Sequence, residues 1–374
     1  MKKIFFLKFF FSLILILRSL STSAATIYVD PNGSNTYPYD TWAKAATSIA
    51  SGLAAMSKGD TLRIKTGKYN EPLNIYRKNG TGWSVGNYYY VRSDDGNGNY
   101  GNVIIGGNIN IREDGVEWLG SRDTANRIIS SNYWWLDGLT FIGTPNSDLT
   151  FYASGFTIGS GPKAVGLKIT NCTFEGNPLE NLFAVWEYDD VTITDSKFNC
   201  SGCIGSEGAG KDGFMVAVGS FLNPDGFNAA NNIKIHKCSF TGTYSREYGA
   251  LYIRNASNVD ISSNYFYNLQ SDHITARWGD IGNHNYYNNI HVLGGTNHKA
   301  SESHYVYWFR GMTTTAYGDD GPSIHKGHIY NNTIDMNEVT SGYASSIFQM
   351  SDDVVNAVIQ NNLIIGNISS ATEA

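Results

Sequence analysis

Seven segments share one arrangement of apolar and polar positions: LDGLTF, LKITNCTF, VTITDSKF, IKIHKCSF, VDISSNYF, GHIYNNTI and AVIQNNLI. Each alternates apolar with polar residues, breaks at one or two Asn-like turn residues, and resumes with an apolar residue that faces inward again. The segments end at Phe141, Phe174, Phe198, Phe240, Phe266, Ile334 and Ile364, with successive gaps of 33, 24, 42, 26, 68 and 30 residues. A rougher copy from Tyr286 to Val292 divides the longest gap. The shortest gaps therefore define the unit, and the longer ones are units carrying loop insertions. A unit of about 24 residues holds three short strands and three turns, which is one coil of a parallel β-solenoid. A leucine-rich repeat would need a regular Leu framework, whereas these units are rich in Thr, Ile, Val, Asn and Gly. A propeller blade, about 40 residues long, fits only the two inserted units.

Within one unit, Leu167 and Ile169 point inward, Asn171 makes the bend, and Cys172 and Phe174 point inward again. Cys172, Ser196, Cys238 and Asn264 then form one internal column. Cys172 and Cys238 are two coils apart, about 9 to 10 Å at ~4.8 Å per coil, which is too far for a disulfide. Both are expected to be small buried fillers. Cys200-Ser-Gly-Cys203 is either a small disulfide or a pair of free thiols.

The N-terminus departs from the repeat. Lys2 and Lys3 precede an apolar stretch from Ile4 to Leu17, followed by the small residues Thr22-Ser23-Ala24-Ala25. This layout predicts a cleaved secretory signal over residues 1–25 and no stable membrane insertion. Between Tyr39 and Asp60, Trp42, Ala45, Ile49, Leu53 and Met56 recur at helical spacing, which predicts a helix capping the first coil. The expected organisation is a signal over 1–25, a strand and capping helix over 26–60, and a β-helix over 61–374. The last recognisable coil ends at Ile364 with no evident cap, so the C-terminal end is expected to be incomplete.

TIYVDPNGS, the capping segment, GDTLRIKTGKYNE and the Asn-rich coils together resemble the right-handed parallel β-helix proteins of the pectate-lyase-like superfamily. The resemblance spans nearly the whole mature chain and implies an all-β, single right-handed parallel β-helix. It does not choose an activity, because lyases, hydrolases, epimerases, tailspikes and adhesins share that fold.

Charge narrows the partners. Removing Lys2, Lys3, Lys8 and Arg18 from 27 basic residues leaves 23 against 33 acidic ones, a mature chain near −10. Nucleic acid is thereby disfavoured. The 24 Tyr, 18 Phe and 8 Trp can build a large core.

In such a solenoid, the first strand of each coil (PB1) and its adjoining loops form the exposed groove. Here those strands are NLFAVWEY, DGFMVAVG, GALYIRN, DHITARW, YVYWFRG and SSIFQMS. Aligning their ends puts Arg254, Arg277 and Arg310 on three successive coils, with Glu187 and Gln349 at the comparable outer positions. Alternation turns Leu251, Ile253, Ile274, Ala276, Tyr307 and Phe309 inward, and Tyr252, Thr275, Trp308 and His273 outward. The arginines are either solvated strand ends neutralised by acids such as Asp272, or a strip gripping an anionic polymer, with Tyr252 and Trp308 stacking on sugar rings.

Lys211 and Asp212 enter from the loop before PB1. Lys211 either pairs with Glu247 or, with its pKa pushed down by neighbouring cations, acts as a base. The acid pairs Asp189-Asp190, Asp319-Asp320 and Asp352-Asp353 are turn residues or Ca²⁺ ligands, so the metal is left undefined. The aromatic clusters from Trp83 to Val91 and from Asn132 to Gly138 are expected to pack in the core or at coil edges.

Three functions follow. In the first, a secreted or periplasmic, monomeric polysaccharide lyase binds an acidic polysaccharide through Arg254, Arg310, Tyr252, Trp308, Asp212 and Asp272. Lys211 or His273 serves as its base, and Arg277, with or without Ca²⁺, neutralises the uronate. In the second, a glycoside hydrolase uses Asp212 and Asp272, about 9 to 10 Å apart, at the upper edge of inverting geometry. In the third, the groove belongs to a non-catalytic adhesin.

Overall fold

The computed structural model describes residues 24–106, 124–143, 149–155, 163–176, 181–203, 213–220, 229–244, 248–269, 273–277, 283–294, 304–310, 327–338, 345–350 and 357–366. Most of the signal segment, residues 1–23, falls outside them. Among the described residues, three parallel sheets run along the chain, of nine (PB1), eleven (PB2) and ten (PB3) strands. A typical coil runs Tyr248–Arg254 in PB1, Ala256–Ser262 in PB2 and Tyr265–Tyr267 in PB3, and the chain then re-enters PB1 at Ile274–Arg277. This is a single parallel β-helix, as the repeat predicts. Among the described residues no helix is long and apolar enough to cross a membrane.

The turn between PB2 and PB3 shows why the repeat carries Asn-like residues. Asn171, Asp195, Lys237, Ser263, Asn288, Asn331 and Asn361 all have left-handed backbone there, with φ between 51° and 57°. Short polar side chains tolerate that region best, so the bend selects them. The next residue of each turn points inward. Asn264, Asn289, Asn332 and Asn362 stack, and each accepts the backbone N–H of the Asn one coil earlier at 2.9–3.0 Å where such a pair exists. Their Nδ2 groups donate to Ile235, Ile261, Tyr286 and Ile329 carbonyls. Buried backbone groups that the turn takes out of the ladder are thereby satisfied. Cys172 and Cys238 occupy the same column as buried free thiols, as expected, and burial pushes both pKa values up to about 12. Cys200 is disulfide-bonded, which decides between the two alternatives for that thiol.

On PB3 the segment ends form the main aromatic column. Phe141, Phe174, Phe198, Phe240 and Phe266 are register partners in sequence, with ring centroids 4.8–5.1 Å apart and planes within 12°. One strand spacing is close to the stacking distance of two rings, so parallel pairing itself assembles the stack. The rougher repeat supplies His291 for the next slot, at 4.6 Å and 5° from Phe266, and Ile334 follows.

The capping segment differs from its prediction. The α-helix is only Ile49–Ala55, preceded by a 3₁₀ turn at Trp42–Lys44. Thr41 caps the first and Ser48 the second, while between them Ala46 bridges to Val29 as a strand residue. That extended bridge divides the helical pattern. Ala45, Ile49, Leu53 and Met56 are still buried, but Trp42 lies half-buried against Tyr28, with centroids 4.6 Å apart. At the other end, Ile359 and Ile364 continue the core columns and are exposed.

The outward placement of His273 is overturned. It is 3% exposed, and its ring stacks 5.8 Å from Phe266 in the core. Its Nδ1 shares a hydrogen with His291 Nδ1 at 3.0 Å, and His291 Nε2 meets the Tyr307 hydroxyl at 2.9 Å. The reason lies in the register. His273 precedes the strand, one position beyond the pairs Leu251–Ile274 and Ile274–Tyr307, in a column with Met215, Ala250 and Val306. All three are buried, so at this corner two consecutive residues face inward and alternation fails.

Two predictions follow from these columns. Asn289→Ala strands the Asn264 N–H and the Ile261 carbonyl and is expected to destabilise by about 2–4 kcal/mol. Asn288→Gly, at the left-handed turn, should change stability by under about 1 kcal/mol. Denaturant titration of both variants checks the contrast, and equal shifts would contradict it. Burial, reinforced by neighbouring His273, holds the His291 pKa well below its usual value. The unfolded chain therefore binds protons below about pH 6.5 that the fold does not, and stability falls as pH drops, by up to about 1.4 kcal/mol per unit for this group. His291→Phe removes that titration, so its melting temperature should fall less than the wild type's between about pH 7.5 and 5.5.

Candidate functional site

The strand register brings the three arginines together. Arg254 pairs with Arg277, and Arg277 with Arg310, in consecutive PB1 strands. The backbone thus spaces three cationic residues one strand apart, ~4.8 Å. Arg254 is half-buried; the side chains of Arg277 and Arg310 fall outside the described ones. One coil earlier the position is Gly219, at φ 141°, where an added Cβ would lie 1.8 Å from the Arg254 carbonyl oxygen. The arginine column therefore begins at Arg254, because the coil before it admits no side chain there.

Glu187 and Gln349 do not extend the column. Trp186, not Glu187, pairs with Gly219 and so shares the arginine register. Glu187 is buried at the turn, with its carboxylate accepting the Ser220 hydroxyl at 2.7 Å. Gln349 pairs with Trp308, in the neighbouring column. Glu187 is one residue out of register, which in a strand exchanges the faces, and Gln349 is two residues out, which keeps the face and changes the column.

That neighbouring column contains Tyr252, Thr275 and Trp308 as expected. Tyr252 and Trp308 are half-buried, whereas Thr275 between them is fully buried rather than open. Tyr252 stacks on Phe214 at 4.6 Å and 13°, with Trp186 edge-on at 6.3 Å; Trp308 packs against Tyr305 at 5.4 Å. Toward earlier coils the outward PB1 face becomes a second apolar cluster, with Tyr152, Ala184, Trp186 and Ala217 all buried and Tyr252 packed against it. The signal for this cluster is in the sequence. NLFAVWEY and GFMVAV are apolar at nearly every position, the composition of a strand buried on both faces.

Lys211, Asp212 and Asp272 lie outside the described residues, as do Glu247, Asp319-Asp320 and Asp352-Asp353. Among the described residues no group of three His, Cys, Asp or Glu is arranged to hold a metal. The Asp189-Asp190 pair is otherwise engaged. Asp189 takes Lys163 Nζ at 2.8 Å, and Asp190 takes Trp83 Nε1 and Asn232 Nδ2, each at 2.7 Å. These carboxylates tie insertions to PB2 and do not fit a Ca²⁺ site. The aromatic clusters do pack as expected. Tyr89 and Trp134 stack within the core, while Lys168 Nζ lies 4.0 Å from the centre of the Trp83 ring and 5.6 Å from that of Trp135.

No family model and no curated protein matches the sequence. Among solved structures, the chain is similar to an alginate lyase from Paenibacillus sp. str. FPU-7, at 14% identity over 85% of this chain and 93% of that one, with a TM-score of 0.48. It is similar to the pectate lyase Pel9A at 14% identity, over 91% and 80% of the two chains, with a TM-score of 0.47. It is also similar to the GH136 lacto-N-biosidase from Eubacterium ramulus, at 10% identity over 92% and 68%, with a TM-score of 0.47. With its three parallel sheets wound coil upon coil from one chain, the protein is a single parallel β-helix.

Proposed function

We propose that the protein is a carbohydrate-active β-helix that binds an acidic polysaccharide along PB1 and cleaves it by β-elimination. The observation that carries this reading is the register of Arg254, Arg277 and Arg310 on adjacent strands. Like charges one strand apart repel by about 1 kcal/mol per pair in a water-like dielectric, and by several times that where solvent is partly excluded. A polyanion whose carboxylates sit between the guanidiniums converts that repulsion into attraction, with bidentate hydrogen bonds. Tyr252 and Trp308, half-buried one column away, would present ring surface to the sugars.

The same cations suit elimination at a uronate. Neutralising the carboxylate acidifies the adjacent C–H; a base removes that proton, the glycosidic C–O bond breaks, and a double bond forms in the sugar left behind. Arginine stays protonated and supplies the electrostatic part. Lys211 is the base this reading assigns, because a lysine set among cations would have its pKa pushed down, whereas His273 is closed inside the core. Secretion through the N-terminal segment would bring the enzyme to its polymer. The names of the alginate and pectate lyases of similar fold agree with this substrate class.

Purified protein incubated with pectate, alginate and glycosaminoglycans, with and without Ca²⁺, should produce unsaturated product from one of them, followed by its absorbance. Arg277→Ala should weaken binding of that polymer by about tenfold or more, the scale of a lost charged hydrogen bond, and Lys211→Ala should stop product formation while binding persists. Unchanged affinity in Arg277→Ala would overturn the groove. New reducing ends without the absorbance change would replace elimination by hydrolysis, and binding without either product would leave an adhesin.

A further inference from the structure

PB2 carries a cleft of about 360 Å³ on its outward face, on a different sheet from the arginines. Its floor is a column of register partners on four successive strands: Lys234, Asp260, Asn285 and His328. One wall is a second column at the corner where the chain enters PB2. There Asn232, Asn258 and Asn283 all have left-handed backbone, with φ of 60°, 52° and 34°.

The wall is already committed, because Asn232 Nδ2 donates to Asp190 and Asn258 Nδ2 to Asn231, each at 2.7 Å. The floor is not. Asp260 Oδ2 receives one long hydrogen bond, from the Tyr287 hydroxyl at 3.4 Å, and its Oδ1 is buried with no partner among the described residues. A carboxylate offers about four acceptor sites, so this one is far from saturated, and rotation about Cβ–Cγ exchanges its two oxygens. Lys234 sits directly across the strand gap, yet no ion pair joins them among the described residues. Among the described residues, the side chains of Lys234 and Asn285 likewise make no hydrogen bond. Beside Asn285 and His328, the partly exposed rings of Tyr287 and Tyr330 stack at 5.1 Å and 5° on the same face.

We propose that this cleft binds a neutral saccharide at a site separate from the PB1 arginine column. A ligand there must donate to Asp260, accept from Lys234 and do both with Asn285, which is the inventory of a vicinal diol. The lysine and the carboxylate cancel, so neither an anion nor a cation gains net attraction: Asp260 opposes a uronate, and Lys234 opposes a metal ion. Floor residues one strand apart, ~4.8 Å, match the scale of successive hydroxyls on a sugar ring. The tyrosine edges supply apolar contact for its C–H groups. This proposal does not depend on the reaction assigned to PB1.

Calorimetric titration of the full chain with cello-, xylo- and mannohexaose, galacturonate hexasaccharide and Ca²⁺ tests it. One neutral hexasaccharide is expected to bind, and to bind at least about tenfold more weakly to Asp260→Ala and to Asn285→Ala, the loss of one hydrogen bond to a charged or polar partner. The melting temperatures of both variants, measured alongside, confirm that the fold is intact, and Lys234→Ala gives a third variant should either fail to fold. Saturating polygalacturonate should leave the neutral affinity unchanged, and its displacement of the neutral sugar would overturn a separate site. The proposal is also overturned if no neutral hexasaccharide binds, if folded variants bind as the wild type does, or if Asp260→Ala instead abolishes binding of Ca²⁺ or of the galacturonate hexasaccharide.

Discussion

Parallel pairing of each coil with the next holds every strand's backbone N–H and C=O groups in hydrogen bonds, and this pairing forces residues at the same point of successive coils into columns one strand spacing apart. A column is then an energetic unit. Phenylalanine suits it because stacked rings want nearly that spacing, and five of them fill the PB3 interior from Phe141 to Phe266. Asparagine suits the turn column because one amide both accepts from the preceding coil and donates into the turn. Losing a member therefore leaves both a backbone N–H and a backbone carbonyl of the preceding coil unsatisfied.

The same constraint governs the outward faces, where it works against like charges. Arg254, Arg277 and Arg310 are stacked by the backbone whether or not their charges favour it. On PB2 the column Lys234, Asp260, Asn285, His328 mixes charge and amide and carries no such repulsion. Two sheets of one solenoid thus present different chemistry, one a column of arginines and the other a column mixing lysine, carboxylate, amide and imidazole. Between them the core holds paired polar groups, as in the chain from His273 through His291 to Tyr307.

Much of this arrangement was legible from residue spacing. The last residues of the repeats proved to be register partners on PB3, and the inward Cys172–Asn264 column and the three arginines also fell where alignment put them. The failures cluster at corners. His273 was read by strand alternation, yet it lies just before the strand, where Met215, Ala250 and Val306 also turn in. Comparing that column across coils, all apolar but for the histidine, would have shown the inward turn. Glu187 and Gln349 show the companion error, in which a slip of one or two residues moves a side chain to another column.

By itself, the sequence determined the period, the solenoid and the internal columns of the PB2–PB3 turn and of PB3, because stacking at one strand spacing rewards the same residue type in every coil and so writes itself into the repeat. Only the tertiary structure decided how many residues each corner turns inward, where the arginine column begins above Gly219, and which carboxylates are already held. Those outcomes depend on how closely one backbone passes another and on contacts with insertions of unequal length. Neither has a period, so neither leaves a pattern along the chain.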